Sequence, residues 1–203
     1  MSVGRIPSLS FLRATIGRMG LVVWALAATV ACASLLASHL LTLPTPGVDD
    51  PVLARAVAEA RVEGSTWTVL HALSSECECS RRILAHLVST PRPADVVETV
   101  LLVGAPGDLP ARLGARGFRF ENVSAESLAT RYAIPAVPLL VIAGPDGVVR
   151  YSGGYTERKQ GPVIADLALL GRLRADASVD ALPLFGCPIN TQLSASLDPV
   201  GLR

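Results

Sequence analysis

Cys77 and Cys79, one residue apart in Ser74-Ser75-Glu76-Cys77-Glu78-Cys79-Ser80-Arg81-Arg82, are the residues of this chain best suited to chemistry. The β-branched, apolar run Trp67 to Leu73 before them predicts a strand, and a helix is expected to begin near Ser80. A helix start offers unpaired N–H groups and the positive end of a dipole, so a thiol there ionises more readily to the nucleophilic thiolate. Three chemistries follow from such a pair: exchange of electrons, capture of a soft metal, or closure of a loop. Arg81 and Arg82 favour the thiolate while Glu76 and Glu78 oppose it, which leaves the direction of the net pKa shift open. Joining residues i and i+2 strains a disulfide, and a strained bond is easier to reduce, so a Cys-x-Cys couple is expected to be comparatively oxidising.

A copper-binding site is the competing class. Cys77 and Cys79 would supply soft thiolates for Cu(I), with His71 or Cys187 completing the set. Zinc wants four closed ligands, and no spacing here assembles them. His86 lies too far along the predicted helix to share an ion with Cys79. Cys187, in Phe185-Gly186-Cys187-Pro188, falls in a tail expected to lie outside the fold proper, with three readings: a resolving partner for the pair, a free thiol, or a bridge between molecules. The chain has no nucleophilic serine motif, phosphate-binding glycine loop or His-Glu metal helix.

The elements that must position these thiols can be read in order. Residues 1–20 form a basic N-terminus carrying Arg5, Arg13 and Arg18 without an acidic residue. Residues 21–43 are apolar and free of Asp, Glu, Lys and Arg, long enough to cross a bilayer as a helix. The run continues past the small-x-small site at Ala31-Cys32-Ala33, which favours a retained anchor over a cleaved signal peptide. Arginines on the N-terminal side place that end in the cytoplasm, and the remainder in the periplasm or outside the cell, on a single-pass inner-membrane anchor. Without those arginines the chain is close to charge balance and has no basic patch, which excludes a nucleic-acid partner.

Residues 44–50 read as a stiff, proline-containing linker, 51–178 as the folded domain and 179–203 as a C-terminal tail. Asp50-Pro51 signals a helix start. Further strands are expected at Val96 to Val103, Phe118 to Val123, Pro138 to Ala143 and Val148 to Tyr151, the last two as a hairpin around Gly144-Pro145-Asp146-Gly147. Helices are expected from near Ser80 to before Pro91, with Ile83, Leu84, Leu87 and Val88 on the apolar face, and over Leu109 to Arg116, Ala125 to Tyr132 and Ile164 to Leu173. The fold class is α/β, a mixed central sheet flanked by helices.

The cysteine motif between strand and helix, the segment Arg131-Tyr132-Ala133-Ile134-Pro135-Ala136-Val137-Pro138-Leu139 and the Gly-Pro-Asp-Gly hairpin together resemble the thioredoxin-like fold. With the anchor, the chain is similar to bacterial membrane-anchored thioredoxin-like proteins, some of which share Cys-x-Cys, Ser-Gly-Gly (here Ser152-Gly153-Gly154) and Phe-Gly-Cys elements. The resemblance implies a thiol-disulfide oxidoreductase without a bound cofactor, acting on protein thiol or disulfide clients and drawing on a membrane electron donor. It implies a cis Pro138 facing the cysteines, an exposed attacking Cys77 and a buried resolving Cys79. Cys-x-Cys in place of Cys-x-x-Cys, and Glu76 in place of the usual Trp, are departures from that family.

Overall fold

The computed structural model describes residues 9–62 and 67–197, apart from the side chains of 9–16 and 34–40. It divides into two units, Met1–Leu41 and Thr42–Arg203. The first contains α1 (Leu9–Leu40). Leu21, Val22, Val23, Trp24, Leu26 and Val30 on this helix are all exposed. Among the described residues no helix is long and apolar enough to cross a membrane, and the expected span over 21–43 falls partly outside them.

The second unit runs α2 (Pro51–Ala60), β1 (Trp67–Ser74), α3 (Glu78–Ser89), β2 (Val96–Val103), α4 (Leu109–Gly114), β3 (Arg119–Asn122), α5 (Ala125–Arg131), β4 (Ala136–Val137), β5 (Leu139–Ala143), β6 (Val149–Gly153), α6 (Asp166–Arg174), β7 (Cys187–Pro188) and α7 (Thr191–Leu197). Asp50 caps α2 by accepting from the N–H groups of Val52 and Leu53 at 2.8 and 3.0 Å, and Ser124 caps α5 by accepting from Ser127 N–H at 3.0 Å. Caps of this kind are worth about 1 kcal/mol each.

Five strands form one sheet in the order β3-β2-β1-β5-β6. β1, β2 and β3 are parallel; β5 runs antiparallel to β1, and β6 antiparallel to β5. The central strands are covered on both faces, which is why β1, β2 and β5 read as almost continuous apolar runs instead of alternating ones. On one face Leu70, Ala72, Leu101, Leu139 and Val141 pack with Leu53 and Val57 of α2 and Leu128 of α5. On the other, Val69, Leu73, Val100, Leu102 and Leu140 meet Ile83, Leu84 and Leu87 of α3 and Leu169 and Leu170 of α6. Full burial of side chains this size stabilises by roughly 1.5–3 kcal/mol apiece. This mixed, helix-flanked sheet is consistent with the thioredoxin-like fold the sequence resembles.

The C-terminal segment requires a correction. Read as a tail outside the fold, it instead supplies β7, which pairs antiparallel with β4, Val137 opposite Cys187 and Ala136 opposite Pro188. Leu184 is buried and bridged to Leu43, whose N–H donates to the Leu184 carbonyl at 2.9 Å. Leu43, at the end of the apolar run in the sequence, thus belongs to the domain's own core. Isolated two-residue pairings carry no periodicity that a sequence window could register.

Candidate active site

α3 begins at Glu78, two residues earlier than the sequence predicts, so that Cys77 occupies the N-cap position and Cys79 the first turn. Cys77 Sγ lies in the position where a Ser or Asp oxygen would normally accept from the first-turn N–H groups. Its thiol makes no side-chain capping hydrogen bond of ordinary length. The buried Ser80 hydroxyl likewise has no partner at ordinary hydrogen-bond distance, yet this hydroxyl and the Ser80 N–H both favour the ionised form of Cys77.

Burial differs from the family-based expectation. Cys77 is only 1 % exposed, while Cys79 is half-buried. Cys77 lies within the core cluster that includes Val137 and Leu184, whereas Cys79, at the second helical position, packs against that cluster while staying partly exposed. The exposed and buried positions of the pair are therefore the reverse of those implied by alignment to Cys-x-x-Cys.

Pro138 is preceded by a cis peptide bond, between β4 and β5. Cys77 Sγ lies 3.9 Å from the carbonyl oxygen of Val137, the residue before it. Val137 is also the residue paired with Cys187, so the β4–β7 pairing brings a third sulfur to the same place. None of the four cysteines, Cys32 on α1 among them, is joined in a disulfide in this structure.

The three domain thiols are electrostatically linked. Interaction with the Cys187 thiol, and then with that of Cys79, lowers the Cys77 pKa from the ordinary thiol value, outweighing the upward push of burial. Cys79 and Cys187 are each pushed up, first because their protons are held by Cys77 and then by burial. The positive charges of Lys159 and Arg82 only partly offset this at Cys79. Within the cluster the shifts are opposed, down at Cys77 and up at Cys79 and Cys187.

Cys79 opens onto a cleft of about 360 Å³, which Arg82, Pro138, Tyr155, Gln160 and Phe185 also line. Phe185 stood out in the sequence only as part of the Phe-Gly-Cys element, with no place at the site, and Tyr155 was not assigned a role. Phe185 sits in the segment whose fold-back is invisible to local patterning, and Tyr155 follows two glycines that read only as a strand end.

The route of the C-terminal segment is set by close backbone approaches. Gly154 N–H donates to the Leu182 carbonyl at 2.9 Å, and Leu182 N–H donates to Tyr151 Oη at 3.2 Å. A Cβ at Gly154 would overlap the Pro183 carbonyl, and one at Gly186 would overlap the Val137 carbonyl and sit 2.6 Å from Pro138 Cδ. Glycine is needed at both positions for the chain to pass. After Cys187, Ile189 N–H donates to the Pro135 carbonyl at 3.0 Å. The third thiol is thus tied down on both sides.

His71 lies elsewhere. Its side chain emerges on the opposite sheet face, fully buried, with Nδ1 2.9 Å from Tyr155 Oη and Nε2 2.9 Å from Glu98 Oε2. Both ring nitrogens are engaged, which removes His71 from the copper set considered above. Among the described residues, no group of three or more His, Cys, Asp and Glu side chains is arranged to hold a metal ion. Glu98 also accepts from Arg92 Nε at 2.9 Å; Arg92 Nη1 donates to Asp166 Oδ2 at 2.7 Å, and Asp166 Oδ1 meets His86 Nε2 at 3.0 Å. Burial pushes the Glu98 carboxyl up, but its bonds to His71 and Arg92 prevail and hold it down at about 2. Tyr155, wholly buried, is held well above the usual phenol range by desolvation and stays neutral. This charged network braces α3, α6 and the loop carrying Tyr155 from beneath the cleft.

No protein-family model matches the chain, and no curated protein matches it in sequence. Among solved structures, an uncharacterized conserved protein from Geobacillus kaustophilus is similar with a TM-score of 0.51 at 18% identity, over 62% of this chain and 77% of that one. A hypothetical protein from Sinorhizobium meliloti 1021 gives 0.49 at 18% identity, over 66% and 82%. Thioredoxin-like superfamily protein SPOA0173 gives 0.38 at 21% identity, over 63% and 87%. The similarity extends to fold alone; the chain is a mixed α/β domain consistent with a thioredoxin-like fold, with three thiols gathered beside a cis-proline.

Proposed function

We propose that this protein is a membrane-anchored thiol-disulfide oxidoreductase that exchanges disulfides with protein clients through Cys77 and Cys79. The observation that carries the reading is the unequal placement of the two sulfurs: Cys79 opens onto a cleft, and Cys77 is buried, with its pKa lowered by the neighbouring thiols. In a Cys77–Cys79 disulfide a client thiolate can reach only the Cys79 sulfur. Attack there forms a client–Cys79 mixed disulfide and expels Cys77 as a thiolate, and a low leaving-group pKa speeds that step. A second client thiolate then attacks the client sulfur of the mixed disulfide, closing the client's own disulfide and releasing Cys79, which takes up a proton. Two electrons pass from client to protein. Stabilisation of the Cys77 thiolate favours the reduced pair, so donation of disulfides is the preferred direction.

The anchor rests on α1, whose apolar side chains are exposed, and on the arginines that precede them, which favour a periplasmic domain. Pro138 and Phe185 would shape the groove for an extended client segment beside Cys79. The test is oxidative folding of a reduced protein substrate by the full chain in detergent. Catalysis lost in both Cys77→Ser and Cys79→Ser supports the reading; stoichiometric Cu(I) retention with no exchange overturns it in favour of metal delivery.

A further inference from the structure

The exchange reading uses two of three gathered sulfurs, yet the third is the one most elaborately positioned. Cys187 is held opposite Val137 in the β4–β7 pair, with the buried Leu184 before it and the Ile189–Pro135 hydrogen bond after it. Cys77 Sγ lies against the same Val137 carbonyl, at 3.9 Å. Glycine at 186 allows the backbone to approach Val137 and Pro138 more closely than any side chain would permit. A free, inert thiol would not need this arrangement. Cys77, moreover, has neighbours on two sides: Cys79 from the helix turn and Cys187 from the strand.

We propose that Cys77 forms two alternative disulfides, one with Cys79 and one with Cys187, and that the oxidised protein interconverts between a disulfide-donor form and a form with a free nucleophile at the cleft. The proposal rests on the exchange reading and adds a second activity, isomerisation of client disulfides, to the same site. Starting from Cys77–Cys79, the Cys187 thiolate attacks the Cys77 sulfur. The Cys77–Cys187 bond forms, the Cys77–Cys79 bond breaks, and Cys79 leaves as a thiolate. The proton lost by Cys187 is balanced by one taken up at Cys79, and no electrons are gained or lost. The product hides its disulfide beneath the C-terminal segment and presents Cys79 alone to the cleft. From there Cys79 can attack a non-native client disulfide, forming a mixed disulfide and freeing a client thiol that re-pairs elsewhere. Attack by that thiol or another on the client sulfur then returns Cys79 unchanged.

The test uses the full chain in detergent, with Cys32→Ser so that only the three domain thiols remain. The protein is equilibrated in graded glutathione buffers, acid-quenched and alkylated, and its disulfides are mapped by mass spectrometry. The two-electron oxidised fraction is expected to contain both Cys77–Cys79 and Cys77–Cys187 isomers. Adding Cys187→Ser is expected to reduce Cys79 alkylation within that fraction by about tenfold or more. It should also abolish refolding of a scrambled-disulfide substrate, whereas oxidation of a reduced one is slowed and not lost, since Cys187 lowers the Cys77 pKa but its own sulfur is not exchanged in that reaction. Cys77–Cys79 as the sole isomer at every buffer ratio, with Cys187 always alkylated, overturns the proposal while leaving exchange intact. Absence of both isomers together with loss of all exchange overturns the exchange reading itself. Since the isomers are mapped in protein that retains all three domain thiols, the result does not depend on the Cys187→Ser chain folding.

Discussion

Cys187 pairs across an antiparallel bridge with Val137, whose carbonyl oxygen lies 3.9 Å from Cys77 Sγ. More than a hundred residues of chain separate the two cysteines, and the meeting is made by a short strand pair in front of the sheet.

Exposure sets which sulfur a client meets. Cys77→Ser is expected to accumulate a mixed disulfide between Cys79 and a client or glutathione, because the thiolate that would resolve it is gone. Cys79→Ser is expected to trap none at Cys77, which is buried. Mass spectrometry of the acid-trapped variants checks this; accumulation in Cys79→Ser only would restore Cys77 as the attacking residue.

The pH dependence follows from the opposed shifts. Cys77 is lowered chiefly by the Cys187 and Cys79 thiols, so its contribution to stability is fully present above the unfolded thiol value of about 8.5 and is lost as pH falls below it. Cys79 and Cys187 are raised, so theirs is present below that value and lost as pH rises through it. Reduced wild type, compared with reduced Cys77→Ser, should gain stability from acid pH up to about 8.5 and lose it again above. Urea midpoints at graded pH measure this, and ultraviolet thiolate absorbance persisting in mild acid reports the Cys77 thiolate directly. A flat difference would contradict the linked cluster.

Gly186→Ala forces a Cβ onto the Val137 carbonyl, and backbone at that point cannot yield cheaply. The expected cost is about 1–3 kcal/mol, with faster alkylation of Cys187 as the segment lifts. Thermal unfolding and alkylation rates report the two effects. Unchanged values would show that the C-terminal segment is not seated on β4.

Among the described residues, Glu98→Gln leaves the Arg92 guanidinium, 7 % exposed, with Asp166 as its remaining ion-pair partner. Removing one member of a buried ionic network costs about 3–5 kcal/mol, and the amide retains part of the hydrogen bonding, so a loss near the lower figure is expected at neutral pH. Because the Glu98 pKa is lowered, its contribution is present above the ordinary carboxylate value and is lost as pH falls toward about 2. The stability gap between wild type and variant should narrow accordingly in acid.

How much of this was legible in the sequence depended on the range of the interactions. β1, β2 and β5, buried on both faces, announce themselves as apolar runs, and the Asp50 and Ser124 caps are local signals that the structure repeats. The cysteine pair and Pro138 stood out by type and position. What could not be read is non-local: the burial order of Cys77 and Cys79, set by α3 starting at Glu78, and the return of Leu182 to Cys187 across Gly154 and Pro138. Phe185-Gly186-Cys187 was noticeable as a motif, but nothing within it says which surface requires a glycine. The Glu98–Arg92–Asp166 network likewise joins residues that look like ordinary surface charges until β2 and α6 bring them together.

The most direct test of the central claim is a redox titration of the full chain carrying Cys32→Ser and Cys187→Ser, in which Cys77 and Cys79 are the only thiols. Equilibration in graded glutathione buffers, followed by alkylation and mass analysis, should show a single two-electron transition between a dithiol and a Cys77–Cys79 disulfide. Both thiols remaining alkylated at every buffer ratio would contradict the account.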